Sequence, residues 1–442
     1  PAYGDLSYTL CQQGEIDAAI SCWKAAIEQI RVVPEYHTWI EAWANSKDLT
    51  ALLASRVAKT DNSYGKTEQN LSLPAENTLD RSNIESAQVS LIKPPSGFYE
   101  STWDWIKSAD FKSDSANGFI PVYPKSTVYL KPPNTRESSI HFSFRFGSQI
   151  QLSASFVATI DRGRYWCNDR NSSTAIITSN NQILGDLSPE FPLFSPGHPD
   201  NHPSHHSILK RPQLQPIQAI SGTVAVLSGL LDDVYFHWMF DVLPRIQILK
   251  ESGINFDEID YFIVPDRLSF QQATLDRLGI PQDKRIQSDR MSHIQADRLI
   301  VPSFPGSVAW MPEWVCLFLR QLFLESQNIE KDTGFQRLYI SRDRAKNRRI
   351  LNEAEVLAVL TEFGFQSVAL ESLSIQQQAA LLSQAQIVIS AHGSGLTNLV
   401  FCNSGTQVIE IFSPNYVYPC YWLLSNLAGL DYSYILGEMP EG

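Results

Sequence analysis

Along the C-terminal third, short apolar runs alternate with stretches of helical periodicity. Arg337–Ile340 reads as a strand. Asn352 followed by Glu355 has the N-cap/N3 spacing of a capping box, and Gly364 closes that helix. Gln366–Leu370 is the next strand, and Ser374 with Gln377 opens a second capped helix through Ala385. Ile387–Ala391 is apolar without alternation, as expected of a parallel strand covered on both faces, and Gln407–Phe412 is another. This βαβαβ order predicts a doubly wound parallel sheet. Upstream the alternation repeats. Val224–Leu227, Tyr261–Val264 and Arg298–Val301 read as strands; Tyr235–Glu251, Phe270–Leu278 and Glu313–Glu325 read as helices. Residues 119–190 are rich in β-branched and aromatic residues punctuated by Asn and Gly, which predicts several short strands. A Pro/His-rich loop, Phe191–Pro216, separates the two regions.

The first 59 residues differ. Leu6, Leu10, Ala18, Ala19, Trp23 and Ala26 recur at helical spacing around a turn at Gly14. Relative to that glycine, Ala19, Trp23 and Ala26 fall where a tetratricopeptide repeat places its small and bulky residues, so residues 1–59 resemble such a segment. A plain helical hairpin packed on the main domain is the other reading. One repeat cannot bury its own faces, so further repeats are expected before Pro1. Residues 60–96 shift to Ser, Asn, Glu and Pro and read as a linker.

The chain has 442 residues and a formal net charge of −12. An acidic surface argues against nucleic-acid binding, which needs basic contacts to phosphate, and against a polybasic membrane anchor. No apolar run reaches the length of a membrane span. The six cysteines are scattered, without zinc spacing, and read as thiols of a reducing compartment. A cytoplasmic location is the expectation. The triplets at Asn70 and Asn171 match a glycosylation pattern that is common by chance.

Ligands of parallel sheets bind outside the carboxyl ends of the strands, and three such ends carry unusual residues. Ser341–Arg349 holds five bases and one acid in an acidic protein. It suits an anion such as a diphosphate, with Arg342 leading; a solvated basic loop is the alternative. His392, Gly393, Ser394 and Gly395 follow strand Ile387–Ala391, where glycines permit close approach to phosphate oxygens or simply close packing. Glu410 could accept two ribose hydroxyls or pair with a base. No GxGxxG or P-loop is present. In the middle of the chain, His237, Asp241 and Arg245 stand at i, i+4 and i+8 on an aromatic helix that Pro244 should kink. A carboxylate-oriented imidazole is a general-base arrangement; a polar network bracing the kink is equally compatible with the spacing. His198, His202, His205 and His206 crowd the Pro-rich loop and read as a polar loop rather than a metal site.

Four of these segments, in order, resemble glycosyltransferase family 61. They are Tyr235–Arg245, Leu338–Glu353, Ile387–Asn398 and Gly405–Phe412; Ile160–Arg164 and Gln182–Ser188 are similar too. The resemblance covers roughly residues 97–442 and implies an α/β fold of GT-B type. Two Rossmann-type lobes would face a cleft, with 97–330 as the acceptor lobe and 331–442 as the nucleotide-sugar lobe. It implies inverting, metal-independent transfer from a nucleoside-diphosphate sugar, UDP-linked, to a glycan or protein hydroxyl, as in polysaccharide biosynthesis, without a cofactor. His237 would be the base, oriented by Asp241, or Asp241 the base itself. Arg342, His392, Gly393, Ser394, Gly395 and Glu410 would hold the donor. The N-terminal helices could present an acceptor, bind a protein partner or make a homo-oligomer. A binding scaffold without turnover is the alternative function, and a sugar-nucleotide epimerase a third, disfavoured by the absent GxGxxG.

Overall fold

The computed structural model describes residues 92–438 apart from 110, 112–116, 146, 169–171, 289–291 and 326–335. By its contacts the chain divides at residue 91, and the unit described is 92–442. The tetratricopeptide-like segment and most of the expected linker, with the triplets at Asn70 and Asn171, lie outside the described residues.

The strands are β1 Gly97–Tyr99, β2 Gly118–Tyr123, β3 Ser126–Tyr129, β4 Asn134–Thr135, β5 Gln149–Leu152, β6 Ser155–Asp161, β7 Arg164–Cys167, β8 Thr174–Ile177 and β9 Gln182–Leu184. After them come β10 Gln218–Val226, β11 Tyr261–Ile263, β12 Arg285–Ile286 and β13 His293–Pro302. The last five are β14 Arg337–Ile340, β15 Gln366–Val368, β16 Ile387–Ala391, β17 Gln407–Phe412 and β18 Asp431–Leu436. Helices α1 Thr102–Lys107, α2 Tyr235–His237, α3 Leu243–Glu251, α4 Ser269–Leu278 and α5 Glu313–Arg320 accompany the first group. Helices α6 Glu353–Glu362, α7 Ile375–Leu382 and α8 Cys420–Ala428 accompany the last strands. No helix among the described residues is long and apolar enough to cross a membrane.

Two sheets carry the fold, and only one is the expected doubly wound kind. The second runs β15-β14-β16-β17-β18-β4 with every neighbour parallel. The first has ten strands and is mixed. β13, β10, β11 and β12 are parallel, but β6 and β7 pair antiparallel to β13, and β8 antiparallel to β7. A Rossmann-type first lobe is therefore corrected to a parallel half joined to an antiparallel half. Long β13 makes this possible: His293–Gln295 meet β7, while Arg298–Pro302 meet β6.

The boundary expected at residue 330 is crossed by earlier chain. β4 adds an edge to the second sheet through Ser433↔Asn134 and Tyr434↔Thr135. The Trp422 indole donates to the Lys131 carbonyl at 2.8 Å, and Phe144 stacks on Tyr434 at 4.7 Å. One apolar core runs continuously from Trp238, Leu243 and Leu319 to Leu382, Phe412 and Leu424. A second, around Trp105, Ile160 and Leu299, includes Trp105 of α1.

His293 shows how burial sets a charge state in the antiparallel half. It is buried, its Nδ1 lies 2.9 Å from the Gln215 carbonyl, and Arg164 lies 3.5 Å from Nε2. Desolvation first, against the Gln215 hydrogen bond and reinforced by the charge of Arg164, holds its pKa down to about 4. The unfolded imidazole, near 6.5, takes a proton earlier than the folded one. The stabilisation is therefore present above pH 6.5 and is lost as pH falls through about 4. Urea titrations between pH 7 and pH 4.5 should show a loss of up to about 3 kcal/mol that His293→Gln abolishes.

Candidate active site

Helix α2 begins just beyond the carboxyl end of β10. Its sequence is apolar nearly all round, and Phe236, Trp238, Met239, Phe240 and Val242 are buried. Pro244 has no N–H to give to the preceding turn. The kink expected there takes the form of a π-turn, Trp238–Val242, which carries α2 into α3 with Pro244 in the first turn of α3. Such wider turns concentrate at functional sites, because they re-aim the side chains on either flank.

Here the flanking side chains are His237 and Asp241. The His237 Nδ1 lies 2.7 Å from the Asp241 carboxylate. Asp241 also accepts the one N–H of Ala309, shared between both its oxygens at 3.0 and 3.3 Å. A carboxylate that only accepts fixes the imidazole tautomer, with the proton on Nδ1 and the lone pair on Nε2. The Asp241 side chain keeps 2% of its surface exposed, whereas the His237 side chain keeps 11%, so the ring retains an accessible edge. Ala309 has φ +66°, an unfavourable value for a residue with a Cβ, and its bond to Asp241 holds the loop after β13 in that conformation.

Arg245 does not continue the stripe. Its guanidinium donates to the carbonyls of Pro302, at 2.7 and 3.0 Å, and of Ser228, and lies over the Phe304 ring at 4.8 Å. Full burial lowers its pKa to about 10. It ties α3 to the ends of β10 and β13, a structural task.

The second group forms at the carboxyl ends of β14, β16 and β17. The basic loop and the glycine turn, 50 positions apart in sequence, meet. A Cβ at Gly393 would overlap the Arg342 guanidinium, so glycine is what lets that cation lie against the turn. Arg342 also donates to the carbonyls of Asn347 at 3.0 Å and Arg348 at 3.3 Å, which folds the loop around it. Burial, followed by Arg348, lowers its pKa. Arg348 donates to the His392 carbonyl at 3.2 Å and lies over Tyr416 at 4.7 Å. Ser394 opens a 3₁₀ helix, Ser394–Phe401, and Gly395 packs under Ile340.

Glu410 occupies a different place from the one expected. It is fully buried, and its oxygens accept from His392 Nδ1 and from the Tyr432 hydroxyl. It therefore stands behind His392 and has no face open to ribose. The His392 ring is buried among Phe412, Tyr416 and Tyr421, with centroids 5.1 to 5.2 Å away.

Tyr421 joins the two groups, lying 5.2 Å from His392 and 5.7 Å from Phe236, next to His237. The Tyr235 hydroxyl donates to Asn398 at 3.0 Å across the same junction. Reading the residues alone missed Tyr416, Tyr421 and Tyr432. Their only local signal is aromatic density, which a core also shows. The loop histidines have ordinary work: His198, His202 and His206 accept backbone amides at the starts of successive 3₁₀ turns. Among the described residues, no three His, Cys, Asp or Glu side chains converge as metal ligands. Cys167, Cys316, Cys402 and Cys420 are buried thiols, and burial pushes Cys316 and Cys402 up to about 12.

The chain's similarity to known proteins falls on the stretch that holds both groups. Residues 235–409 match the family model described as Glycosyltransferase 61. That stretch starts beside His237 and ends one residue before Glu410. Among similar curated proteins is protein O-linked-mannose beta-1,4-N-acetylglucosaminyltransferase 2 of Bos taurus. It is 37% identical over 107 residues, covering 22% of this chain and 18% of that protein. EGF domain-specific O-linked N-acetylglucosamine transferase of Drosophila melanogaster is 37% identical over 100 residues, covering 21% and 18%. The matched stretch spans about a fifth of the length of these relatives.

Two substitutions test this geometry. Asp241→Ala strands the Ala309 amide and the His237 Nδ1–H, and should cost about 2–3 kcal/mol in urea unfolding; Asp241→Asn, which still accepts from Ala309, should cost less. Gly393→Ala should leave the melting temperature within a few degrees, because only the flexible end of Arg342 must yield. It should still weaken binding of anions such as pyrophosphate about tenfold in calorimetry.

Proposed function

We propose that the chain is an inverting, metal-independent glycosyltransferase built on a variant of the GT-B arrangement, in which the sheet of the first lobe is half antiparallel. It would move a sugar from a nucleoside-diphosphate donor, UDP-linked, to a hydroxyl of a protein or glycan. The observation that carries this reading is the meeting of Arg342, Gly393 and His392 at one set of strand ends, joined through Tyr421 to the His237–Asp241 pair. His237 Nε2 takes the acceptor proton as the hydroxyl oxygen attacks the anomeric carbon. The bond from that carbon to the β-phosphate oxygen breaks on the opposite face, which inverts the centre. The leaving diphosphate gains negative charge, which Arg342 and the backbone of the 392–395 turn offset without reorganising. Both relatives described above carry N-acetylglucosamine in their names, which makes UDP-N-acetylglucosamine the first donor to test. Their named acceptors make a glycosylated or hydroxyl-bearing protein the first acceptor.

His237→Ala should lower turnover by about 10²–10⁴-fold while UDP affinity stays within a few-fold. Arg342→Lys keeps charge but loses the planar fork, so UDP should bind several-fold more weakly and uridine unchanged. Transfer by His237→Ala within a few-fold of wild type would move the base elsewhere. Donor binding by the wild type without turnover on any hydroxyl would instead favour a binding scaffold.

A further inference from the structure

The buried end of the donor half-site contains more chemistry than gripping a diphosphate requires. Glu410 is fully enclosed, one strand in from the sheet edge that β18 and β4 form. A buried carboxylate is stable only when its oxygens are bonded and its charge is balanced. Both oxygens are bonded, by His392 Nδ1 and the Tyr432 hydroxyl. The neighbouring acids stay neutral: burial first, and then the charge of Glu410, raises both Tyr432 and Cys420. The His392 side chain keeps 6% of its surface exposed, and its second ring nitrogen is Nε2. That nitrogen has no hydrogen-bond partner among the described residues. Arg348 donates to the His392 carbonyl, and Arg342 lies against Gly393, the next residue.

We propose that Glu410 and Tyr432 are positioning residues that make His392 a proton-coupled clamp: the donor's diphosphate binds together with one proton, which His392 Nε2 shares with a phosphate oxygen. This rests on the nucleotide-sugar reading above. The charges around His392 decide when the proton arrives. From β17 and β18, Glu410 favours it and neutral Tyr432 fixes the carboxylate. From α8, Tyr421 and Cys420 are neutral, and from the loop after β17 the Tyr416 ring packs against the imidazole. From the loop after β14, Arg342 and Arg348 oppose it. A diphosphate cancels that opposition, so anion and proton bind cooperatively, and by linkage each raises the affinity for the other. In the transfer step the acceptor proton goes to His237, and the electron pair of the breaking bond stays on the phosphate oxygen. The proton on His392 Nε2, already hydrogen-bonded there, meets that new charge. The two imidazoles thus have opposite tasks, one accepting and one donating, each set by its own buried carboxylate.

The experiment is isothermal titration of the full chain with UDP, GDP and dTDP in buffers of different ionisation enthalpy, repeated from pH 6 to pH 8.5. The wild type should take up close to one proton with the diphosphate it prefers, and its affinity should fall about tenfold per pH unit in the alkaline limb. Glu410→Gln should bind at least tenfold more weakly at pH 6.5, with the proton uptake and the pH slope abolished. Tyr432→Phe, which removes a single hydroxyl, should shrink both, and it carries the test if Glu410→Gln fails to fold. Arg342→Ala should weaken binding yet leave the pH slope in place. Tight diphosphate binding by the wild type with no proton uptake, or an unchanged slope in the folded variants, would overturn the clamp and leave the donor reading standing. Failure of the wild type to bind any of the three would overturn the donor reading and the clamp with it.

Discussion

A single buried carboxylate holds the first half-site together. Asp241 lies in a helix whose other faces are packed with Phe236, Trp238, Phe240 and Val242, and it is 1% exposed. Its placement there is tolerable because two donors reach it, His237 Nδ1 and the Ala309 amide, whose one N–H is shared between both oxygens. Those bonds tie the chemistry to the scaffold. The loop after β13 takes its left-handed turn at Ala309 against Asp241, and the imidazole takes its tautomer from the same group. The π-turn supplies the register that lets one carboxylate serve both.

The second half-site follows the same rule with different parts. Glu410 is set deep in a parallel sheet, where an isolated charge would be as costly as at buried Asp241. Its partners come from neighbouring strands, His392 beyond the end of β16 and Tyr432 on β18, so the register of the sheet determines the geometry of the ring. Strand pairing is rigid on the scale of a hydrogen bond. Arg342, by contrast, is held by carbonyls of its own loop and lies against the glycine turn.

What the sequence disclosed follows from how local each signal is. Ile387–Ala391 and Gln407–Phe412 have the observed boundaries because a parallel strand covered by helices has to be apolar throughout. The cap at Ser374 forms with Gln377 as its spacing implies, but Asn352 bonds the Glu355 side chain instead of the helix backbone, since an amide has two groups to satisfy and here the carboxylate takes one. β10 extends well beyond its apolar end because its first residues pair at exposed or partly exposed positions where side-chain pattern carries no weight, whereas β13 begins at buried His293 and Ile294, where polar His293, Gln295 and Asp297 interrupt the apolar pattern. The antiparallel half of the first sheet escaped notice for a related reason: direction of pairing depends on which strands meet, not on their composition. β4, two residues long, joins its sheet by backbone bonds alone.

The polar residues show the same division. His237 and Asp241 are one helical turn apart, so their pairing is written in their spacing, and the wider π-turn between them does not break it. Arg245, a further turn on, has equal spacing but lies past Pro244, where the helix has resumed its ordinary pitch. There it meets carbonyls at the ends of β10 and β13, which no periodicity encodes. Glu410 reads from sequence as a strand-end carboxylate facing outward. Strand alternation decides otherwise, since Val408, Glu410 and Phe412 share the buried face of β17 while Ile409 and Ile411 are partly exposed. A carboxylate among apolar residues on the inward face of a parallel strand signals a buried partner before it signals a ligand, and here that partner is the histidine that ends the adjacent strand.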